Sequence, residues 1–285
     1  MHTDARAGRP WKTSSLARGL YVVAMLIVAF FALFPLYWTV ATALKPGEMP
    51  FAIPPAWLFR PSLEHVRFAF GEGSIGMQRA FPNSLLIATT NTLLSVLIGG
   101  AAAYGLARFP IRGKKHLWFW IISNRMLTPV ALALPFFLLG NSLGILDTRL
   151  ILVLTYLTFN VPLVVWILVG FFQTIPSSLD EAARIDGASQ WAIFARIAVP
   201  LALPGVAVAA IFTFIFAWNE LMFALVLTRE SARTMPVLTT AFITGLGTRW
   251  GPMAATSTVT VLPIMILSLS VSRYIVRGLT LGAIK

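Results

Sequence analysis

The sequence predicts an all-α polytopic membrane protein with six transmembrane helices and with both termini in the cytoplasm. Its 285 residues are 58% hydrophobic and only 11% charged, whereas a soluble domain has about a quarter of its residues charged. Five segments without a charged residue are 23 to 30 residues long, and about 20 apolar residues suffice for a helix to cross a bilayer. Composition and the length of these segments therefore indicate a protein embedded in a lipid bilayer.

The uncharged segments predict the order of the spans. They occupy residues 19–44, 80–107, 150–179, 197–219 and 250–272. A sixth apolar run, from about residue 117 to 139, carries a single charge at Arg125. Together these runs account for six transmembrane helices.

The orientation follows from the distribution of cations. With the N-terminus inside, the inner segments hold 13 Lys and Arg residues and the outer segments hold 8. The densest group lies between Arg108 and Lys115, where four of eight residues are cations. An excess of cations marks the cytoplasmic side of a membrane protein. Because the basic residues are spread between spans, the net charge of +12 favours contact with membrane lipid and argues against nucleic acid.

Five regions follow along the chain. The first apolar run is much longer than the roughly 7–15 apolar residues of a signal peptide, so it is expected to be a retained span. Five prolines between Pro46 and Pro61 exclude a continuous helix at the start of the next segment. The predicted regions are a cytoplasmic tail at 1–19, a first helix at 20–44, an external Pro-rich segment at 45–80, a five-helix membrane core at 81–273 and a cytoplasmic tail at 274–285.

The sequence offers little support for a catalytic site or a metal-binding site. The chain has no cysteine, and its three histidines, His2, His65 and His116, are scattered. No complete phosphate-binding loop, HExxH or GxSxG motif occurs. The prediction is a protein that is not an enzyme and binds no cofactor or metal itself, so that any ATP would be bound by another chain.

An acidic stretch stands out in the fourth interhelical segment, at about 173–204. Ser178 to Glu181 has the form of a capping box, and Gly187 is placed to end the short helix in a left-handed conformation. Asp180 and Arg184 are four residues apart and are expected to pair on the surface. The opposite face is predicted to hold Leu179, Ala182, Ala183 and Asp186.

Two interpretations of this short helix remain open from the residues alone. A helix of about two turns is not stable by itself in water, and its alanines allow close approach of another backbone. The helix therefore suits a groove on a partner protein. The alternative is an amphipathic connector resting on the membrane surface.

Several motifs, in order, resemble one family. Glu181-Ala182-Ala183, followed by Gly187 and then Ile197 and Leu201 with nearby prolines, resembles the EAA loop of bacterial ABC-importer permeases. Four further stretches resemble the carbohydrate branch, specifically the smaller of the two maltose-type permeases: NRMLTP at 124–129, IP at 175–176, WNE at 218–220 and GLTLGAIK at 278–285.

The resemblance implies a fold, a location and partners. The fold would be that of a type I ABC-importer permease in the bacterial inner membrane, importing a sugar or sugar derivative. A second, different permease would complete the translocation path, an external binding protein would deliver substrate, and two cytoplasmic ATPases would hold ATP and Mg. The resemblance assigns contact with the ATPase to Glu181, Ala182, Ala183, Asp186 and Gly187.

A second group of polar residues is predicted to line the path or to anchor the spans. It comprises Asn124, Arg125, Asn160, Asn219 and Glu220, with Asn91, Tyr156 and Thr256 as further candidates. An intramembrane Arg must face protein or water rather than lipid, so Arg125 is expected either to hold the bend near Pro129 through backbone carbonyls or to contact substrate. An ion-driven secondary transporter is the alternative function, but only Glu220 offers an intramembrane carboxylate for coupling.

Overall fold

The computed structural model describes residues 15–72 and 76–281, and the chain is helical over most of that length. The predicted tail residues 1–14 and 282–285 therefore lie outside the described residues. Four helices are long and apolar enough to cross a membrane unbroken. They are α1 (Ser15–Leu44), α3 (Met77–Arg108), α6 (Arg149–Thr174) and α13 (Trp250–Leu281).

The third predicted span is bent rather than straight. Its first half is α4 (Lys114–Ser123), which continues through a 3₁₀ turn at Asn124–Met126. Its second half, α5 (Pro129–Ser142), leaves at 92° to the first. Thr128 is extended, with φ −70° and ψ 134°, because a residue before proline is pushed out of the helical region. Pro129 then begins the new helix, where its missing N–H costs nothing.

The fifth predicted span is also broken. The helical stretch Gln190–Leu201 meets α10 (Leu203–Trp218) at 79°. It consists of α8 (Gln190–Ile193), a π-helical turn and α9 (Val199–Leu201). The break falls at Ala202, since the proline that follows it in the first turn of α10 cannot continue the preceding hydrogen-bond ladder. The described residues thus contain four continuous spans, and six if each bent pair counts as one span.

Three helix boundaries differ from the predicted ones. The second span begins at Met77, inside the predicted external segment. The fifth begins at Leu203 rather than at residue 197, since the apolar residues before it belong to the bent stretch. The last helix continues through Leu281, past the predicted boundary at 273.

Short elements connect the spans. A 3₁₀ turn at Met49–Phe51 interrupts an otherwise irregular segment after α1, as the prolines there predicted. A small antiparallel hairpin precedes α13, with Ile243 opposite Thr248. The remaining connecting elements are α2 (Glu64–Arg67), a π-helical turn at Phe68–Glu72, α7 (Ser177–Ile185), α11 (Met222–Leu227), α12 (Met235–Thr240), β1 (Ile243–Thr244) and β2 (Gly247–Thr248).

The core is built on the contact between α3 and α6. A Cβ atom added to Gly99 of α3 would lie 2.8 Å from Val164 of α6, so the absence of a side chain there lets the two helices touch. Small residues serve the same purpose in other membrane bundles. Asn160 of α6 donates to Asn91 of α3 at 2.7 Å, and both side chains are fully buried. The spacing of small residues in α3 is therefore a packing feature.

Polar contacts at both ends show that α3 and α6 run in the same direction. At one end, Arg149 donates to Asn83 at 2.7 Å. At the other end, Arg108 donates to the carbonyl of Ile175 at 2.9 Å. The segments predicted to be external therefore share one end of the bundle, and those predicted to be cytoplasmic share the other.

A carboxylate latch joins two loops at the predicted external end. Asp147 accepts four backbone N–H bonds, of 2.9 to 3.2 Å, from the loop at residues 229–232. Partial burial alone would raise the pKa of Asp147, but hydrogen bonds from the N–H groups of Arg229, Ser231, Ala232 and Glu230 outweigh burial and hold the pKa at about 2. The loop between α11 and α12 is thereby fixed to the loop before α6.

Helix α1 packs against α13, but its side chains are exposed along most of its length. The side chains from Arg18 to Tyr37 are exposed, whereas Ala41 to Ala43 are buried at its end. Lys45 follows and is only 2% exposed, with its ammonium 4.2 Å from the centre of the Trp38 ring. Cation–π contact of this kind offsets part of the cost of burying a lysine.

Candidate functional site

A cavity of about 430 Å³ opens where the two bent spans face each other. The break between α4 and α5 supplies Asn124 and Arg125, and the break after α10 supplies Asn219 and Glu220. Thr158 of α6 closes one side, and the remaining wall is apolar and aromatic: Leu127, Pro129, Leu132, Phe159, Phe216, Leu221, Met222 and Phe223. The structure therefore brings four of the five path candidates to one site.

Arg125 is held by an aromatic ring rather than by carbonyls. Its guanidinium lies 5.0 Å from the centre of the Phe216 ring. No hydrogen bond from Arg125 to a backbone carbonyl is found within residues 15–72 and 76–281. Asn124, by contrast, donates to the carbonyl of Trp120 at 2.8 Å and so caps its own helix. Arg125 therefore lines the cavity beside Phe216.

Glu220 is stabilised by the start of the next helix. Its two carboxylate oxygens accept the N–H groups of Phe223 at 3.0 Å and Ala224 at 3.1 Å. A carboxylate at a helix start satisfies donors that have no partner within the helix. Asn219 bonds back to the carbonyl of Ile215 at 2.9 Å. These bonds position the polar groups of the cavity before any ligand arrives.

The other path candidates lie in helix packing. Asn160 does not line this cavity, because it bonds Asn91 in the α3–α6 contact. Tyr156 is fully buried, with its ring 5.7 Å from that of Phe159. Thr256 is also buried, and its hydroxyl donates to Pro252 at 3.0 Å. Their positions are those of residues that hold the helices together.

The predicted short helix is present as α7, but its start differs from the prediction. Pro176 is the N-cap, and no side chain of α7 makes a capping bond there. The capping box assigned to Ser178 and Glu181 is therefore wrong. Since Pro176 rather than Ser178 is the N-cap, the helix begins two residues earlier than predicted, and the hydroxyl of Ser178 is not at the cap.

The end of α7 agrees with the prediction. Gly187 has φ +80°, the left-handed conformation that glycine adopts without strain. Its N–H donates to Arg184 at 3.0 Å, and the N–H of Ala188 donates to Ala183 at 2.9 Å. This pair of bonds is the Schellman motif that turns a chain sharply after a helix.

The two faces of α7 divide differently from the expectation. Asp180 and Ala183 are buried against this chain, whereas Glu181, Ala182 and Asp186 are exposed. Ile185 is 87% exposed. Ala183 therefore does not share an outward face with Ala182. We call the exposed set Glu181, Ala182, Ile185 and Asp186 the outward face of α7.

The expected surface pair of Asp180 with Arg184 is also wrong. Asp180 instead pairs with Arg108, whose Nε lies 3.0 Å from its carboxylate. Arg184 lies 2.8 Å from the side-chain amide of Gln190. The sequence alone does not reveal this role of Arg108, because the residue is 72 positions before Asp180 and belongs to the dense group of cations that predicts the cytoplasmic side.

An aromatic cluster lies beneath the α7 region. The ring of Tyr104 in α3 is 5.6 Å from that of Phe172 in α6 and 5.0 Å from that of Phe194. Trp191 adds a further ring 5.4 Å from Phe194. Rings at these separations pack favourably. The segment from α7 to Phe194 thus rests on the ends of α3 and α6.

The cavity and the outward face of α7 are joined by α6. The cavity contacts α6 at Thr158 and Phe159, and α7 follows soon after the helix ends at Thr174. At about 1.5 Å per residue, Thr158 and Thr174 are about 24 Å apart along the helix. One continuous helix therefore connects the two candidate surfaces.

Comparison with known proteins identifies the family. The family model described as the inner membrane component of binding-protein-dependent transport systems matches residues 7–281. The trehalose transport system permease protein SugB of Mycobacterium tuberculosis is 35% identical over 274 residues, covering 93% of this chain and 97% of the relative. The trehalose/maltose transport system permease protein MalG of Thermococcus litoralis is 32% identical over 272 residues, covering 95% and 98%.

A solved structure agrees at the level of the fold. A chain of a bacterial ABC transporter involved in the import of alginate superposes with a TM-score of 0.74 at 21% identity, covering 93% of this chain and 99% of that one. The expected type I ABC-importer permease fold is thereby confirmed. The chain belongs to the family of inner membrane components of binding-protein-dependent transport systems, and it is a transport subunit rather than an enzyme.

Proposed function

We propose that this chain is one of two different permease subunits of an ATP-driven importer for a sugar or sugar derivative. The names of its relatives support the substrate class, since they include trehalose, trehalose/maltose and diacetylchitobiose systems. The partners would be a second permease, two cytoplasmic ATPases that hold ATP and Mg, and an external binding protein.

The outward face of α7 is the observation that carries this proposal. Glu181, Ala182 and Ile185 are exposed on a nine-residue helix that is held from behind by Asp180. A connector resting on the membrane surface would need an apolar face against lipid. The outward face of α7 instead carries two acids, Glu181 and Asp186. A short acidic helix fixed to the spans suits a cleft on a cytoplasmic ATPase.

The proposal also sets the orientation of the chain. The end of the bundle that carries α7 would face the cytoplasm, together with the cation group from Arg108 to Lys115. The excess of cations in the predicted inner segments supports this orientation. The Asp147 latch and the hairpin before α13 would then face outward, where the binding protein arrives.

The cavity between the bent spans is the proposed contact with the solute. Polar groups of Asn124, Arg125, Asn219 and Glu220 converge there among aromatic walls. A mainly apolar pocket with a few placed polar groups is typical of a binding site, and ring faces with amide and guanidinium groups suit a hydroxylated ring. The stacking of Arg125 on Phe216 supports contact with solute over the backbone-anchor alternative.

The test is uptake by the assembled complex in proteoliposomes. Radiolabelled trehalose and maltose serve as probes, with the external binding protein present and ATP enclosed or omitted. Uptake that requires enclosed ATP supports the importer. Uptake by the isolated chain under a proton or sodium gradient, without ATP, would instead establish the ion-driven alternative, and the family match argues against that result.

A further inference from the structure

A buried ion pair joins three helix ends at the proposed cytoplasmic side. Arg108 is the last residue of α3, and its Nε lies 3.0 Å from Oδ2 of Asp180 in α7, with the two side chains 9% and 4% exposed. The Nη2 of Arg108 also donates to the carbonyl of Ile175, directly after α6, at 2.9 Å. One guanidinium therefore contacts the ends of α3 and α6 and the start of α7.

The pair is the principal attachment of α7 to the spans. The structure describes every side chain of α7, and two of them, Asp180 and Ala183, are buried. Ala183 offers one methyl group for packing. The charged contact that sets where α7 lies is thus the ion pair of Asp180, and it is made to α3 rather than to the nearer helix in sequence.

A buried ion pair is weak evidence for stability but good evidence for geometry. Removing two charges from water costs about as much as their attraction returns, and an apolar pair of similar size is often as stable. The planar guanidinium of Arg108, however, contacts the Asp180 carboxylate and the Ile175 carbonyl at the same time, and two such contacts fix direction as well as distance. The geometry of Arg108 therefore suits a rigid connection better than simple packing does.

We propose that the Arg108–Asp180 pair is the link that makes α3 follow α7 when a bound ATPase moves it. This inference rests on the proposed function, because it assumes that the outward face of α7 docks on the ATPase. Motion at α7 passes through Arg108 to α3, and α3 packs along α6, which contacts the cavity at Thr158. Arg108 and Asp180 are positioning residues in this scheme, and neither contacts the ATPase.

The test measures the distance between α3 and α7 in two states of the complex. The chain has no native cysteine, so spin labels are placed at Leu97→Cys in α3 and at Leu179→Cys in α7, outside the outward face; these side chains are 60% and 42% exposed. The other subunits are made cysteine-free. Double electron–electron resonance is recorded on the nucleotide-free complex and on the complex trapped with ATP and vanadate.

With Asp180 intact, the label distance is expected to be the same in both states, because the two helices move together. In Asp180→Asn the distance should change between the states by about 1–2 Å, which is the size of helix shifts at interfaces. Equal distances in both states of Asp180→Asn would overturn the link. The control Arg112→Gln, which removes an exposed cation of the same loop, should behave like the parent.

A double variant separates positioning from folding. Asp180→Asn leaves the Arg108 charge without its partner and is liable to impair assembly. Arg108→Met with Asp180→Leu fills the space without charge, so the complex should assemble with normal yield while the distance between the labels still changes with nucleotide. A double variant with the parent's constant distance would show that the pair is only structural.

A separate arm keeps this inference distinct from the proposed function. Glu181→Lys alters the outward face and leaves Arg108 and Asp180 in place, so it should release the ATPase. If it does, and the Asp180 variants keep a constant label distance, docking stands and the link is wrong. If the ATPase remains bound to Glu181→Lys and to a matching Ala182→Lys variant, docking is contradicted and the link is contradicted with it.

Discussion

Gly187→Val perturbs the turn after α7 without touching the outward face. Gly187 has φ +80°, and a Cβ atom added there meets nothing within 4 Å. The cost is therefore conformational rather than steric. A non-glycine residue in the left-handed region costs about 1–2 kcal/mol, and a β-branched residue is a clear outlier there, at up to about 3 kcal/mol.

This cost converts into a measurable loss of coupling. A penalty of about 1–3 kcal/mol reduces the population of the native turn roughly 5- to 150-fold relative to its alternatives. The segment after the turn would then leave α7 at another angle while the outward face stays intact. We expect the ATPase to copurify with the chain, and ATP-dependent uptake to fall.

A graded series makes the argument sharp. Asn tolerates the left-handed conformation better than Ala, and Ala better than Val. Uptake should therefore be highest in Gly187→Asn, lower in Gly187→Ala and lowest in Gly187→Val. Gly170→Val is the matched control, since Gly170 in α6 has no positive φ and no neighbour within 4 Å of an added Cβ. Equal uptake by the Asn and Val variants would refute the reasoning.

Three further predictions address other parts of the chain. Glu181→Lys should reduce recovery of the ATPase with the complex by roughly tenfold or more, because a buried contact would lose its partner; normal recovery on an affinity resin contradicts docking. Asp147→Asn should lower the thermal midpoint of the complex at pH 7 and should lower it only about half as much at pH 3. The folded pKa of Asp147 lies near 2 instead of 3.8, so its stabilisation is present above about pH 4 and lost as the pH falls toward 2; equal differences at both pH values contradict the latch. Arg125→Leu should leave the yield of the complex unchanged and lower uptake, with Arg125→Lys intermediate because it keeps the charge without the planar stacking group. A loss of yield would support the anchor alternative.

Local and periodic signals predicted much of this molecule. The uncharged segments located the spans because the length of an apolar run is a property of neighbouring residues. Gly187 was predicted to end α7 for a similar reason, since its effect depends on its own φ. The EAA resemblance then placed that helix within a family.

Contacts between distant residues were not predictable in this way. Asp180 looked like a surface acid because its partner, Arg108, belongs to another span. The sequence predicts a bend near Pro129 but not its angle of 92°, and it does not predict the 79° break at Ala202, since an apolar run indicates length and not direction. Pro129 and Pro204 were the available signals, but a proline in a span bends a helix to very different degrees depending on its packing.

The Asp147 latch illustrates a further limit. Four backbone N–H groups converge on one carboxylate, and no side chain in the loop at 229–232 signals that convergence. Likewise, the cavity forms where the bend between α4 and α5 meets the turn between α10 and α11. The sequence offered Asn124, Arg125, Asn219 and Glu220 as candidates, and only the fold shows that they share one site while Asn160 does not.

The central claim is that the outward face of α7 meets an ATPase at the end of the bundle opposite the hairpin before α13. Site-specific photocrosslinking in the native complex tests it most directly, with a benzophenone amino acid placed at Ile185 or at Leu246, whose side chains are fully or almost fully exposed. The account predicts that the ATPase is crosslinked from Ile185 and not from Leu246. An ATPase adduct from Leu246, or none from Ile185 in an intact complex, would contradict it.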